Sequence, residues 1–133
     1  MPTVQAQIWK GSSFNIQREE GKTPNTVVLR FHGPFTARDM YGSLTPFALN
    51  NMLAFQSPGD DRPPALNVLD LTDVPYMDSA GLGIIVRHYV RCKSRGVRLI
   101  VAGAVPRVLD LFKMTKVDGL IPATDTVEEA ETL

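Results

Sequence analysis

Residues 65–102 read ALNVLDLTDVPYMDSAGLGIIVRHYVRCKSRGVRLIVA, and this stretch contains the strongest secondary-structure patterns of the chain. Its opening segment, residues 65–71, is apolar at all but two positions and predicts a buried strand. From residue 79 or 80 to about residue 94, apolar side chains recur at helical spacing. Residues 97–102 predict a second buried strand. Two strands joined by a helix imply parallel pairing with a right-handed crossover.

The N-terminal part of the chain adds antiparallel strands to this parallel core. Residues 14–18 and 26–31 each predict a strand, and the Gly- and Pro-containing turn at residues 21–25 between them favours a hairpin. Apolar residues alternate with glutamines over residues 4–8. This alternation favours an extra strand within an N-terminal extension, residues 1–13.

Further helices are predicted before and after residues 65–102 in the sequence. Thr36 suits the cap of a helix over residues 37–55, which Pro46 would kink or split. Residues 56–64 contain three prolines, a glycine and two adjacent aspartates, and so predict a surface loop. Two further helices are predicted to begin at Pro106 and at Thr126 or Asp125.

Together these elements predict one α/β domain over residues 14–133. We expect a mixed, mainly parallel sheet with an antiparallel N-terminal hairpin and helices packed on the sheet. The length of 133 residues fits a single domain that folds without a disulfide or a metal.

Charge and cysteine content narrow the classes of function. Fourteen basic residues balance fourteen acidic ones, so the global basic excess typical of a nucleic-acid binder is absent. The single cysteine, Cys92, fits a reducing compartment and cannot form a zinc site with only His32 and His88. No apolar run is long enough to span a bilayer, and the N-terminus has no secretory-signal pattern. We therefore expect a cytoplasmic protein with no metal, cofactor, nucleic-acid or membrane partner.

The segment that follows the central strand is the natural place for a functional site, because sites in open α/β sheets lie beyond the carboxyl ends of strands. Ser79 places a hydroxyl at a helix N-terminus, where free N–H groups favour a phosphate. Gly81 and Gly83 would let another backbone approach, and Asp78 could orient the hydroxyl or hold a metal that arrives with a nucleotide. From these residues alone, a helix cap is the more common role for Asp78 or Ser79.

A family resemblance gives this segment a more specific interpretation. The run Asp70-Leu-Thr-Asp-Val-Pro-Tyr-Met-Asp-Ser-Ala-Gly-Leu-Gly83 resembles the signature of the STAS domain family of anti-sigma-factor antagonists, which carries D-S-[STA]-G-L-G after a buried strand. The likeness continues through residues 95–99 and 105–108 and reaches residues 126–130. It covers about residues 14–133.

The resemblance implies a phosphorylation cycle. The family binds an anti-sigma factor that is also a serine kinase, and the kinase phosphorylates the serine after the aspartate, which is Ser79 here. Phosphorylation releases the complex, and a metal-dependent serine phosphatase resets it. By this resemblance, the binding of the chain to its partner is switched off by phosphorylation of Ser79.

The partner surface is predicted from the helix that starts at Ser79. Residues 82, 85, 86, 89 and 90 form the expected core stripe, and the basic face opposite it would meet an acidic partner patch. The predicted partner-binding residues are Asp78, Ser79, Ala80, Gly81, Gly83, Ile84, Arg87, His88 and Arg91.

The chain departs from the family pattern at three places, one of which is the 56–64 loop, longer than the family needs. The early strand of the family often ends in G-E-L-D, but Gly33-Pro-Phe-Thr36 contains no acid. Lys116 stands where the family usually has glycine, and a left-handed helix end there would be strained for lysine.

The sequence leaves two other classes of function to compare with this one. The alternative is a STAS scaffold or adaptor without phosphorylation, in a sensory assembly or a lipid-transport complex. An enzyme is disfavoured because Ser79 lacks a G-x-S-x-G elbow. His88, nine residues further along the same helix, would lie more than about 10 Å away at ~1.5 Å per residue. The oligomeric state is left open.

Overall fold

A computed structural model describes residues 6–10, 14–41 and 63–133. Within these residues the strands are β1 (Ala6–Lys10), β2 (Asn15–Glu20), β3 (Thr26–His32), β4 (Leu66–Asp73), β5 (Arg98–Ala102) and β6 (Ala123–Thr124). The α-helices are α1 (Ala37–Tyr41), α2 (Ser79–Ser94), α3 (Pro106–Met114) and α4 (Val127–Thr132), and a short 3₁₀ turn spans Val117–Gly119.

The described strands form one sheet in the order of the chain, from β1 to β6. β1 pairs antiparallel with β2, and β2 with β3, whereas β3, β4, β5 and β6 are parallel neighbours. The predicted mixed sheet with an antiparallel N-terminal portion is therefore confirmed. The alternating residues near the N-terminus contribute β1, whose pairing is irregular between Gln7 and Trp9.

Alternation along each strand separates two apolar layers. Leu29, Leu69 and Val101 point to one face of the sheet and pack in the larger core, with apolar residues of α2 and α3. The other face carries a smaller cluster that includes Val68 and Ile100 and is covered by α4. Helices thus cover both faces of the parallel strands, as buried parallel strands require.

The N-terminus of α1 forms as predicted. The Thr36 hydroxyl accepts a hydrogen bond from the Asp39 N–H at 3.3 Å and donates one to Asp39 Oδ2 at 2.6 Å. The Thr36 hydroxyl thus satisfies one N–H group at the start of the helix. The rest of the predicted 37–55 helix, including Pro46, and nearly all of the 56–64 loop lie outside the described residues.

The end of α3 confirms the expectation at Lys116. Lys116 has φ 63° and ψ 18°, a left-handed conformation that glycine adopts without steric cost. It lies between α3 and the 3₁₀ turn, where its N–H donates to Lys113 O at 3.1 Å.

The predicted orientation of α2 is wrong in part. The buried residues of α2 are Gly81, Leu82, Ile84, Ile85, His88 and Cys92. Val90, predicted in the core, is 59% exposed, whereas Ile84 and His88, predicted on the outer face, are only 4% and 2% exposed.

The physical reason for this rotation is a polar pair inside the core. His88 Nε2 donates to Asn67 Oδ1 at 2.6 Å, and Asn67 Nδ2 donates to Val27 O at 3.0 Å. A buried polar group that is hydrogen-bonded avoids most of its desolvation cost. The core therefore accepts a histidine that helical periodicity assigned to solvent.

Candidate functional site

The candidate site is the start of α2, at the carboxyl end of β4. Backbone hydrogen bonds join the segment before it to Phe35, which lies three residues after β3. Phe35 N–H donates to Tyr76 O at 3.1 Å, and Asp78 N–H donates to Phe35 O at 3.4 Å. Phe35 is fully buried and stacks on Phe14 with ring centroids 4.9 Å apart. The backbone that leads to Ser79 is therefore held by the core.

Asp78 caps two helices at once. It is the N-cap of α2, in an extended conformation, and its Oδ1 accepts a hydrogen bond from Gly81 N–H at 3.0 Å. Its Oδ2 accepts one from Ala37 N–H, in the first turn of α1, also at 3.0 Å. Both carboxylate oxygens thus bind backbone N–H groups. The structure gives Asp78 this double-capping role rather than an orienting contact with the Ser79 hydroxyl.

Ser79 is the first residue of α2 and is exposed. Over residues 6–10, 14–41 and 63–133, no hydrogen bond of its hydroxyl is found. The first turn of α2 contains no acidic residue. Because a helix N-terminus carries a positive partial charge, an anionic group on Ser79 would be stabilised by this helix.

The two glycines of the turn have different roles. A Cβ at Gly81 would clash with the carbonyl oxygen of Phe35, and it would lie 2.9 Å from Met77 Cγ. A Cβ at Gly83 would meet no atom within 4 Å. Gly81 therefore permits close packing within the chain, whereas Gly83 leaves an open place on the surface.

The remaining predicted partner residues divide by exposure. Arg87 is exposed, and Asp78, Ala80 and Arg91 are half-buried. Ile84 and His88 belong to the core, so they cannot offer their side chains to a partner in this structure. The exposed residues at this part of α2 are Ser79, Gly83, Arg87 and Val90, which follow one another at helical spacing and are called the α2 surface below.

The buried histidine and cysteine of α2 stay uncharged near neutral pH. Burial, with the positive charge of Arg91, lowers the pKa of His88 to about 4. Burial raises the pKa of the Cys92 thiol to about 12. Cys92 Sγ lies 3.6 Å from His88 Nε2. The pair thus contributes to packing and does not supply a thiolate or an imidazolium to the surface.

A concave region lies on the face of the sheet that α4 covers. It is an open cleft of about 450 Å³ that includes His32, Asp73 and Asp125 in its lining. Many of its polar groups bind one another: His32 Nδ1 lies 2.9 Å from Asp73 Oδ2, and Arg30 pairs with both Glu19 and Asp70. In the described part of the chain, no group of His, Cys, Asp or Glu side chains is arranged to hold a metal ion.

The contact between Arg107 and Tyr76, beside the site, was not predicted from the sequence. The guanidinium of Arg107, in the first turn of α3, lies 5.4 Å from the centre of the Tyr76 ring. Tyr76 precedes Ser79 by three residues. The pairing depends on how the β4–α2 loop and the start of α3 meet, so no local pattern could have indicated it.

The sequence profile of the STAS domain family matches residues 17–130. The chain belongs to the STAS domain family. This confirms the resemblance that the residues around Ser79 carried. Among the described residues of this STAS domain, no helix is both long enough and apolar enough to cross a membrane.

Individual proteins that are similar to this chain are named anti-sigma factor antagonists. An anti-sigma-B factor antagonist of Listeria monocytogenes is 38% identical over 53 residues, which are 40% of this chain and 46% of the relative. The match therefore spans less than half of that relative's length.

Two solved structures share the fold. An anti-sigma factor antagonist from Mycobacterium paratuberculosis has a TM-score of 0.69 at 22% identity, over 90% of this chain and 92% of the other. The anti-sigma factor antagonist SpoIIAA in its unphosphorylated form has a TM-score of 0.62 at 22% identity, over 86% of this chain and 91% of the other. These two likenesses confirm the predicted STAS fold.

Proposed function

We propose that this STAS domain is an anti-sigma-factor antagonist that acts in the cytoplasm. It binds an anti-sigma factor that is also a serine kinase, and phosphorylation of Ser79 by that kinase ends the complex. A metal-dependent serine phosphatase then removes the phosphate. The observation that carries the proposal is the exposed Ser79 hydroxyl at the first position of α2, in a D-S-x-G-L-G turn of a STAS domain.

The geometry of the turn suits a phosphate-dependent switch. A phosphoserine carries about −1.5 to −2 charges at neutral pH. At the N-terminus of α2 this charge is stabilised within the free protein by the helix dipole. At a protein interface the same charge must be desolvated, which is costly without a cationic partner. Phosphorylation would therefore weaken binding while leaving the fold intact.

The α2 surface suits an acidic partner. Arg87 is exposed two turns beyond Ser79, and Gly83 between them leaves room for the partner's backbone. Val90 adds exposed apolar area at the far end. An interface that combines an apolar contact with a charged rim fits the general anatomy of protein–protein interfaces.

The proposal includes no catalytic role. Ser79 has no described histidine beside it that could serve as a base, because His88 is buried and hydrogen-bonded to Asn67. Nucleophilic catalysis by a serine requires a base within hydrogen-bond reach.

The experiment begins with the immobilised chain and a lysate of its source organism. A captured protein with an ATP-binding kinase domain is purified and incubated with the chain, Mg²⁺ and ATP, and the phosphate is mapped by mass spectrometry. We expect one phosphate on Ser79, lost in Ser79→Ala and kept in Ser94→Ala, an exposed serine at the other end of the same helix. A complex that forms but is indifferent to Ser79 and ATP would favour an unphosphorylated adaptor and overturn the switch.

The docking face is tested by charge reversal. Arg87→Glu should weaken binding of the purified kinase at least tenfold, because it places like charges at the interface. The matched control is Lys22→Glu, an exposed residue in the β2–β3 turn at the opposite end of the sheet. Equal affinities for both variants would remove α2 from the proposed interface.

A further inference from the structure

A loop side chain and a helix side chain meet on the surface next to the start of α2. Tyr76 lies in the β4–α2 loop and is 40% exposed. Arg107 is exposed in the first turn of α3 and places its guanidinium 5.4 Å from the ring centre. The distance is within the range of a cation–π contact.

Both residues stand on a fixed backbone. Tyr76 O accepts a hydrogen bond from Phe35 N–H at 3.1 Å, which joins it to a fully buried residue. Arg107 follows Pro106, the first residue of α3, and precedes the buried Val108. A tyrosine has few rotatable bonds, and stacking restricts the guanidinium. Each side chain of the pair restricts the other, and such restriction before binding lowers the entropic cost of binding.

The position of Arg107 is unfavourable for the stability of α3. A positive charge in the first turn opposes the helix dipole. The N-cap of α3, Val105, makes no side-chain hydrogen bond to the helix end, and the first turn contains no acidic residue. This end of α3 is therefore electropositive, like the part of α2 that carries Arg87.

We propose that Tyr76 and Arg107 form a second contact for the partner that docks on the α2 surface, and that they receive an Asp or Glu side chain with an apolar neighbour. The inference rests on the proposed function, since it assigns part of the same interface. The guanidinium offers paired N–H groups that match a carboxylate, and the tyrosine ring offers apolar area beside it. Tyrosine and arginine are the residue types that most often dominate binding energy at protein interfaces.

The chain contains a matched control pair. Lys93 lies 6.0 Å from the centre of the Tyr89 ring, which is a second contact of the same type on α2. Lys93 is fourteen residues beyond Ser79, or about 21 Å at ~1.5 Å per residue. A general effect of removing a stacked cation would affect both pairs, whereas an interface contact affects only the pair near Ser79.

The test measures the affinity of the purified anti-sigma kinase, without ATP, for the full chain and its variants. We expect Arg107→Ala and Tyr76→Ala each to weaken binding about tenfold. The double variant should lose less affinity than the product of the two single losses, because the two side chains act together. Arg107→Lys should recover only part of the loss, and Lys93→Ala should bind like the wild type. Thermal unfolding of each variant shows whether it is folded.

The outcomes separate the two proposals. If the wild type binds the kinase and is released on phosphorylation of Ser79, but Arg107→Ala binds within twofold of wild type, the Tyr76–Arg107 contact is overturned and the proposed function stands. If Arg107→Ala and Lys93→Ala weaken binding equally, the contact is also overturned. If the wild type binds no such kinase, the proposed function fails, and this contact fails with it.

Discussion

The carboxylate of Asp78 accepts a hydrogen bond from the N–H of Ala37, which lies 41 residues earlier in the chain, at 3.0 Å. Its other oxygen accepts from Gly81 N–H at the same distance. One side chain therefore joins the starts of α1 and α2, and this double cap positions the turn that presents Ser79. Helix N-termini leave several N–H groups without partners inside the helix, and Asp78 serves one in each of two helices.

Removing this carboxylate should destabilise the domain. Asp78→Ala loses both caps, and we expect the free energy of unfolding to fall by about 1–3 kcal/mol. The measurement is a urea titration followed by circular dichroism. Asp110→Ala, an exposed aspartate on α3, is the control and should change stability by less than about 0.5 kcal/mol. An unchanged urea midpoint for Asp78→Ala would contradict the double cap.

The two glycines at the start of α2 should respond in opposite directions. Gly81→Ala places a methyl group against the Phe35 carbonyl and should cost about 1–3 kcal/mol of stability. Gly83→Ala adds a methyl group in open space and replaces a poor helix former, so we expect a gain of roughly 0.5–1 kcal/mol. Unfolding titrations of both variants, run side by side, check the difference. A loss at Gly83 as large as that at Gly81 would contradict the geometry of the turn.

A negative charge at position 79 should separate stability from binding. Ser79→Asp places an acid in the first turn of α2, where the helix dipole stabilises it by about 0.3–1 kcal/mol. We expect equal or higher stability together with weaker binding of the anti-sigma kinase. Calorimetry gives the affinity, and thermal unfolding gives the stability. In the control Ser94→Asp, at the C-terminal end of the same helix, affinity should be unchanged and stability slightly lower. Ser79→Asp with wild-type affinity would count against the switch.

Stability should depend on pH through His88. Its pKa is about 4 in the folded protein, against 6.5 as the ordinary value, because burial disfavours the charged ring. Below about pH 6.5 the unfolded chain binds a proton that the folded protein does not. Stability therefore falls as the pH drops from about 6.5 to about 4, by roughly 3 kcal/mol in total, and this contribution levels off below pH 4.

The check compares urea midpoints between pH 7 and pH 4.5 in three proteins. His88→Gln should lose most of this dependence, because glutamine does not titrate. His32→Gln should keep it, since His32 lies at the end of β3, away from the buried site. A slope in His88→Gln equal to that of the wild type would assign the pH dependence to other groups.

The left-handed residue after α3 offers a stabilising substitution. Lys116→Gly removes the steric cost of φ 63°, and the greater flexibility of glycine in the unfolded chain offsets part of the gain. We expect a net gain of about 0.5–1 kcal/mol in the free energy of unfolding. The complementary variant is Gly96→Ala, at φ 74° after α2, which should lose about 1 kcal/mol. Denaturant midpoints of the two variants that shift in the same direction would contradict this account.

Local patterns predicted most of the fold because they report local physics. The strands β4 and β5 and the cap at Thr36 each follow from a few consecutive residues. The left-handed conformation of Lys116 follows from the family resemblance, because the family usually has glycine at that position. The orientation of α2 did not follow. Helical periodicity identifies a stripe of apolar residues, but it cannot show that a histidine will be buried because an asparagine on a strand accepts a hydrogen bond from its ring. Asn67, a polar residue in an apolar strand, was the available signal.

The amino-acid sequence was enough to predict the order of the strands and helices, the family to which the chain belongs and the position of Ser79 at a helix start. Each of these depends on residues that are neighbours in the chain. Other features became evident from the tertiary structure. Asp78 joins α1 to α2, and Tyr76 lies against Arg107. The Phe35 carbonyl occupies the space that a Cβ at Gly81 would need, whereas the space beside Gly83 is open. These contacts join residues far apart in the chain, and their geometry exists only once β3, β4 and β5 have paired and brought their carboxyl ends to one edge of the sheet.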